Sequence, residues 1–471
     1  MTESKYTLTV GLEIHVELKT KTKMFCACHN DPDEKEPNVN ICPICTAQPG
    51  TLPVINKEAV KSVLRVGTAL GSNLADFTEF DRKNYFYPDI PKAYQISQYK
   101  YPLVSGGSLR GVEITRVHLE EDTASSQHDP ANDLSMVNFN RAGVPLMELV
   151  TEPVMHSAKE AGDFARELQL LLSPLYLNVS EANMEKGEMR VEANISISAD
   201  PNTLGTKVEV KNLNSFRTME KAIEYEYKRQ VKILDEGGQV EQETLGWDEN
   251  KQATFSQRKK ESSHDYRYFP DPDLPKLYIS EIAEFQNLTE TLPELPSEKR
   301  VRYAKDYGVK SEDVEVFLVN QKYAEVFEGT VAKVGKDKAQ LVANYLTSDL
   351  AGLHKNGATL VPTTEAMIEL MELISAGEIS SRGAKDILAV LAKDGGAPRA
   401  IAETKGLFQK SDEGEILKIV EQVIAENETV VADYKAGNEK SLQFLVGQGM
   451  KLSKGSANPG VLTKILKDKL T

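Results

Sequence analysis

The pattern of apolar residues changes most sharply at Thr291-Leu292-Pro293-Glu294-Leu295-Pro296, where two prolines in six residues oppose both helix and sheet. Before it, stretches such as Thr7-Leu8-Thr9-Val10, Val112-Glu113-Ile114-Thr115-Arg116-Val117 and Thr206-Lys207-Val208-Glu209-Val210-Lys211 alternate polar and apolar, which predicts strands with one buried face. Ala158 to Leu172 and Thr218 to Leu234 carry apolar residues at helical spacing, and the second run stops at Gly237-Gly238 as a C-terminal cap would. Beyond the prolines nearly everything reads as helix, including Ala339–Leu353 and Thr364–Ile374, with a break at Gly395-Gly396. A further change near residue 405 precedes a small basic tail that holds Ser456-Ala457-Asn458-Pro459-Gly460 and a last short helix. The expected fold is α+β: a mixed-sheet domain over residues 1–292, a helical domain over 293–405 and a basic helical tail over 406–471.

No run approaches the roughly 18 apolar residues of a bilayer span, and Met1-Thr2-Glu3-Ser4-Lys5 leads into no apolar signal segment, so a cytoplasmic protein without a membrane partner is expected. A net charge of -15 excludes a general nucleic-acid coat, because phosphate binding is mainly electrostatic. Any nucleic acid must meet local basic patches. One lies in residues 434–471, where seven lysines (435, 440, 451, 454, 464, 467 and 469) face only Glu439 and Asp468. A solvated helical end and a phosphate-contacting surface both fit that charge.

All the cysteines fall within twenty residues, at Cys26, Cys28, Cys42 and Cys45. Two close pairs separated by a loop suit a tetrahedral structural Zn²⁺, each tight turn presenting two thiolates to one ion. Disulfides are the rival reading, disfavoured where thiols stay reduced. A redox pair would open a helix, whereas Cys42-Pro43-Ile44-Cys45 runs on to a turn at Gln48-Pro49-Gly50. His29 is an alternative ligand or a surface histidine, and the clustering leaves no cysteine to serve as a glutaminase nucleophile.

Glu13, His15 and Glu17 alternate in Gly11-Leu12-Glu13-Ile14-His15-Val16-Glu17-Leu18, so a strand would project all three from one face. A wet sheet face reads the same way. Two further acidic words stand at His118-Leu119-Glu120-Glu121-Asp122 and Asn140-Arg141-Ala142-Gly143-Val144-Pro145-Leu146-Met147-Glu148. Carboxylates with a neutral imidazole suit Mg²⁺, which binds through a few oxygens while bridging nucleotide phosphates. Spacing alone does not bring the three words together.

The run Asp81-Arg82-Lys83-Asn84-Tyr85-Phe86-Tyr87-Pro88-Asp89-Ile90-Pro91-Lys92-Ala93-Tyr94-Gln95-Ile96-Ser97-Gln98 packs cations, rings and amides together without helical or strand periodicity. It reads as a rigid recognition loop, able to hold phosphates and stack on bases, or as a surface loop anchored by its rings. The whole word resembles the signature of the GatB family, the B subunits of the tRNA-dependent amidotransferases. Further words match the same family: Asn183-Met184-Glu185, Glu209-Val210-Lys211-Asn212-Leu213-Asn214-Ser215-Phe216, Gln242-Glu243-Thr244, His264-Asp265-Tyr266-Arg267-Tyr268-Phe269-Pro270, Asp433-Tyr434-Lys435-Ala436-Gly437 and Phe444-Leu445-Val446-Gly447-Gln448.

The resemblance implies a cradle-like catalytic domain followed by helical and tail domains that engage tRNA. It implies that ATP phosphorylates the side-chain carboxylate of misacylated Glu-tRNA(Gln) and/or Asp-tRNA(Asn), and that ammonia then displaces phosphate. It places Mg²⁺ on Glu13, His15, Glu120, Glu121 and Glu148, with Glu13, His15, Glu121 and Glu148 as the catalytic set. It points to Arg82, Lys83, Asn84, Tyr85, Tyr94, Gln95, Ser97, Gln98, Asn140, Arg141, Lys211 and Asn212 as nucleotide contacts. Nothing in the chain liberates ammonia from glutamine, so an amidase (A) subunit and a small C subunit are implied as partners in a heterotrimer.

Three positions depart from the family pattern: Ser125 stands in the word where relatives carry a lysine, Asn138 where an acid is usual, and Leu245 where an arginine is common. There is no G-x-x-x-x-G-K-[ST] loop, so ATP would be held otherwise. Ser105-Gly106-Gly107-Ser108 reads as a hairpin turn, and Lys451-Leu452-Ser453-Lys454 as solvated helix-end lysines. A noncatalytic tRNA-binding scaffold is the competing reading; it has no need of clustered glutamates and histidines.

Overall fold

The computed structural model describes residues 5–129, 131–258, 266–409, 413–453 and 457–470. Of the sequence words above, Met1 to Ser4, His264, Asp265, Lys454 and Ser456 lie outside the described residues. The chain divides into two compact units, residues 1–296 and 297–471.

The first unit is organised by one large sheet. Its strands run in the order Ala253–Arg258, Thr244–Asp248, Val208–Leu213, Met189–Ser198, Thr7–Glu17, Pro145–Thr151, Val112–Glu121, Val104–Ser105 and Asn73–Leu74. The pairing of Val208–Leu213 with Thr244–Asp248 is parallel, and the central strands pair antiparallel. Strand alternation gives this sheet two unlike faces. Leu12, Ile14, Val16, Val117, Leu119, Met147, Leu149, Val191, Ala193 and Ile195 share one apolar core with Val63, Leu64, Phe164, Leu168, Met219 and Ile223 of the helices Lys57–Ala69, Ala158–Leu172 and Phe216–Asp235. Each helix starts at a polar cap: Asn56 Oδ1 accepts from Glu58 N at 3.0 Å, Ser157 Oγ from Glu160 N at 3.1 Å, and Ser215 Oγ from Thr218 N at 3.1 Å. With the helices covering one face, the charged residues of the same strands fall on the other.

Two local expectations are overturned. The stretch from Asp81 to Gln98 is not wholly loop: Asp81–Asn84 pairs antiparallel with Tyr94–Ser97, and Phe269–Pro270 adds a third strand. Polar residues on both faces of these four-residue strands hide their alternation. Ser105-Gly106-Gly107-Ser108 does not close a hairpin either, because Val104–Ser105 and Ser108–Leu109 both pair antiparallel with Val112–Glu121. The two glycines, at φ 68° and 87°, offset the chain without reversing it. A Cβ at Gly107 would fall 2.8 Å from Leu70 O, so the close approach also requires glycine.

The second unit is helical throughout its described length. Residues 339–355 form one continuous helix whose middle, Tyr345–Leu350, has π geometry, and Thr364–Ser375 and Ser381–Lys393 follow. Its last helices, Glu413–Glu426, Glu428–Lys435, Lys440–Leu452 and Pro459–Leu470, close an apolar cluster of their own around Val420, Val423, Leu445, Leu462 and Leu466. No helix among the described residues is long and apolar enough to cross a membrane.

Candidate active site and metal centre

Register assembles the first site. On the polar face, His118 pairs with Glu148, Glu148 with His15, and His15 with Arg190, a row across four strands. Glu13, two residues from His15, lies opposite Glu192. His15 Nε2 is 3.4 Å from Glu148 and 3.7 Å from Glu120, and His118 Nε2 is 3.3 Å from Glu148. Three overlapping sets bring ligand atoms within 4.8 Å of one another: Glu13, His15 and Glu148; His118, Glu120 and Glu148; and Glu13, Glu192 and Glu209.

These groups perturb one another strongly. Burial opposes the charged form of His15, but its bond to Glu148 and the charges of Glu120, Glu148 and Glu192 outweigh this and raise its pKa to about 9. Against the carboxylates alone the imidazole therefore favours its protonated form, where the sequence pattern suggested a neutral one. Burial also pushes against the Glu148 carboxylate, yet His118 and His15 hold it well below the ordinary range. Glu13 is raised by burial and by the nearby charges of Glu148 and Glu192. On this dense anionic face a divalent cation can take the place of the proton that His15 holds. The buried Oδ1 of Asn194, on the neighbouring strand, has no hydrogen-bond partner among the described residues and adds an oxygen donor to the same face.

Glu120 and Glu121 part company. As neighbours on one strand they point to opposite faces. Glu120 Oε2 accepts from Ser97 Oγ at 3.1 Å beside the row, whereas Glu121 Oε1 meets Lys92 Nζ at 2.6 Å and accepts from Ile96 N at 3.0 Å. Glu121 thus departs from the expected ligand set. It lines a cleft of about 210 Å³ with Cys26, Cys45, Lys92, Tyr94 and Asp273, away from the row.

The expected nucleotide contacts divide in the same manner. Gln95 Nε2 donates to Glu121 O at 2.6 Å, and Gln98 Oε1 accepts from Leu119 N at 3.0 Å, so both fix the glutamate strand. Tyr85 OH donates to Gln95 Oε1 at 3.3 Å. Arg82 is paired with Asp271 and Asp273 at 2.9 and 3.0 Å, and its guanidinium lies 4.3 Å from the centre of the Tyr94 ring. Asn84 Nδ2 donates to the carbonyls of Tyr266 and Arg267 at 3.1 and 2.9 Å. Lys83 stands over the rings of Tyr266 and Tyr85; burial disfavours its charge, but Glu120 and the other acidic groups around it keep it protonated well above the usual range. Lys211 is paired with Glu192 at 2.8 Å, and Asn212 is exposed at φ 62°.

Asn140 is taken up elsewhere. Its Oδ1 accepts from Val39 N and Asn40 N at 3.0 and 2.9 Å, and its Nδ2 donates to Glu36 O, clamping the loop between the two cysteine pairs. The unusual Asn138 joins that clamp, its Oδ1 accepting from Asn140 N and Asn38 N. Arg141 donates to Thr123 O and Ala124 O, both at 3.0 Å, and stands 3.6 Å from Asp122. Asp122 is also paired with Arg190, which reaches Glu17 at 3.4 Å. Leu245 is buried in the main core and Ser125 is exposed on the short hairpin opposite Asn138, so neither touches the row.

His118, Arg190, Glu192 and Glu209 are the residues sequence reasoning did not assign. The signal was present: Arg190-Val191-Glu192-Ala193-Asn194-Ile195-Ser196 alternates as Glu13 to Glu17 does.

The second site is the cysteine cluster. All four sulfurs lie within 4.8 Å of one another, with Cys28 to Cys45 at 4.0 Å and Cys42 to Cys45 at 3.9 Å. Thiolates about 2.3 Å from a tetrahedral ion sit about 3.8 Å apart, so the spacing fits a metal. Hydrogen bonding from Cys26 does most to lower the Cys45 thiol to about 5, and burial pushes Cys28 up to about 12.

A mixed sheet with helices on one face and gathered carboxylates and imidazoles on the other offers a set of side chains that could hold a cation. Residues 8–284 match the GatB/GatE catalytic domain, and residues 325–470 match the GatB domain. Over the full length the chain is similar to the B subunits of aspartyl/glutamyl-tRNA(Asn/Gln) amidotransferases. The one from Thermoanaerobacter pseudethanolicus is 44% identical over 99% of this chain and 100% of its own. The one from Moorella thermoacetica is 43% identical with the same coverage. The one from Picosynechococcus is 43% identical over 99% of this chain and 98% of its own. The chain belongs to the GatB family.

Proposed function

We propose that this chain is the B subunit of a tRNA-dependent amidotransferase, a ligase that uses ATP to convert misacylated Glu-tRNA(Gln) and/or Asp-tRNA(Asn) to the amide. The observation that carries this reading is the row from His118 to Arg190, with Glu13 and Glu120 beside it, on the face of a family-matched domain. A scaffold that only bound tRNA would gain nothing from so many buried acids on one face.

In this reading the aminoacyl carboxylate oxygen attacks the γ-phosphorus of ATP and ADP leaves; ammonia then attacks the acyl carbon and phosphate leaves. Magnesium held by Glu13, His15, Glu120 and Glu148 would neutralise the nucleotide phosphates. Glu121, turned to the other face, has the role of holding Lys92 and the Ile96 backbone. Lys83, with aromatic rings on its flanks, is the cation of the Asp81–Gln98 word best placed to meet a phosphate. Ser97, Gln95 and Gln98 keep the glutamate strand in register.

The cysteine cluster is assigned a structural Zn²⁺. The domains are assigned as residues 1–292 for catalysis, 293–405 for the helical domain and 406–471 for the tail, whose lysines would contact the body of the tRNA. The division at residue 296 and the separate apolar cluster of the last helices support that arrangement. Ammonia would come from an amidase (A) subunit in a cytoplasmic heterotrimer with a small C subunit.

Glu148→Gln tests the reading in the assembled complex. ATP-dependent amidation should fall by about 10²- to 10³-fold, with glutaminase activity of the partner and the melting profile largely retained. Wild-type amidation in that variant would overturn the assignment.

A further inference from the structure

Lys23 is the least expected residue in the cysteine region: its side chain is fully enclosed, at 0% exposure. Its backbone N donates to Cys28 O at 3.0 Å, and the next residue, Met24, donates to Gly143 O at 2.7 Å. Both bonds hold the lysine between the first cysteine pair and the turn after Arg141. Among the described residues its ammonium has two hydrogen-bond partners, Phe139 O at 3.1 Å and Cys45 Sγ at 4.0 Å, and it forms no ion pair with a carboxylate.

A buried ammonium without a counter-charge is strongly disfavoured. Four thiolates around one divalent cation carry two surplus negative charges, and at the buried Cys45 sulfur the neighbouring Lys23 ammonium is placed to offset that surplus. A buried lysine without a carboxylate partner among the described residues and a four-sulfur cage at tetrahedral spacing account for each other when considered together.

We propose that Lys23 is a positioning residue of the metal centre. Its ammonium offsets the surplus charge of the tetrathiolate and holds the Cys45 sulfur, while its bond to Phe139 O ties the centre to the turn that carries Asn140 and Arg141. This rests on the structural-zinc reading above and goes beyond it by assigning the charge partner. The four cysteines alone would then bind the metal less tightly than they do with Lys23 present.

Metal affinity of the full-length chain, measured with cobalt(II) and zinc in competition with a chromophoric chelator, tests the proposal without reference to amidation. Lys23→Gln keeps a donor for Phe139 O and removes the charge; affinity should drop by about 10- to 100-fold. Lys23→Met should drop at least as far, and Lys23→Arg should stay within a few-fold of wild type. Lys23→Gln or Lys23→Met binding both metals within about two-fold of wild type would overturn the role, as would a Lys23→Arg protein as weak as Lys23→Gln. Should one neutral variant not fold, the other carries the comparison. A wild-type chain that takes up no metal would sink the zinc reading itself, a result visible before any variant is made.

Discussion

The cysteine cluster and the carboxylate–imidazole row lie in one unit and are built in opposite ways. The four sulfurs come from Cys26 to Cys45 and are gathered by turns within a single loop. The row draws on strands that begin at Thr7, Val112, Pro145 and Met189, and only their register brings it together. A one-residue slip would carry Glu148 to the apolar face and scatter the row, yet leave the loop's sulfurs adjacent. A site closed locally depends on one loop, whereas a site closed by register depends on the whole sheet.

The largest effect expected from that contrast separates two neighbours. Glu120→Gln removes a carboxylate beside the row and should lower ATP-dependent amidation by about 10²- to 10³-fold, or about 2.7–4 kcal/mol of barrier. Glu121→Gln should spare far more activity and show its effect in melting, through the loss of the Lys92 pair. Equal loss of turnover in the two variants would break the assignment of faces.

Next comes the edge of the row. Burial disfavours the charged form of Asp122, but Arg190 and Arg141 more than offset it and hold the carboxyl below its ordinary value of 3.8. A depressed carboxyl contributes stability that is complete above the unfolded-state pKa and is lost as pH falls through the lower folded-state value. Asp122→Asn should therefore cost about 3 kcal/mol at neutral pH, the low end for a buried pair because Arg190 is partly exposed, and should flatten the decline of stability below about pH 4. Melting curves from pH 3 to pH 8 check both parts.

For the cysteine loop, Cys42→Ser or chelation should lower amide protection over residues 23–56 by about tenfold or more, equivalent to about 1.4 kcal/mol of local opening, with protection in Pro145–Thr151 unchanged. The smallest effect is expected for Ser97→Ala, which removes one bond to Glu120 and should cost about 1 kcal/mol of stability.

What was legible in the chain follows the same division. The cysteine spacing and the alternation of Glu13, His15 and Glu17 are local patterns, and both sites contain them. The partners of Glu13 and His15 were harder to read, because nothing within Met189–Ser198 announces which strand lies beside Thr7–Glu17. Glu192 and Arg190 alternate as clearly as Glu13 and His15 do, but alternation gives a face without naming the neighbour. The family resemblance treated Glu120 and Glu121 as a pair, while the two-residue period of a strand separates them. Asn140 looked like a ligand contact from its motif, and its amide is instead satisfied by three backbone groups of the cysteine loop, a pairing across about a hundred residues that no spacing reveals.

Cation binding to the row is the central claim, and Mn²⁺ titration followed by electron paramagnetic resonance measures it directly on wild type, Glu148→Gln and Glu121→Gln, each with Cys26 to Cys45 already loaded with zinc. The row predicts that Glu148→Gln abolishes the tight Mn²⁺ signal while Glu121→Gln keeps it near wild-type affinity. Tight binding that survives Glu148→Gln, or that is lost equally in Glu121→Gln, would contradict the account.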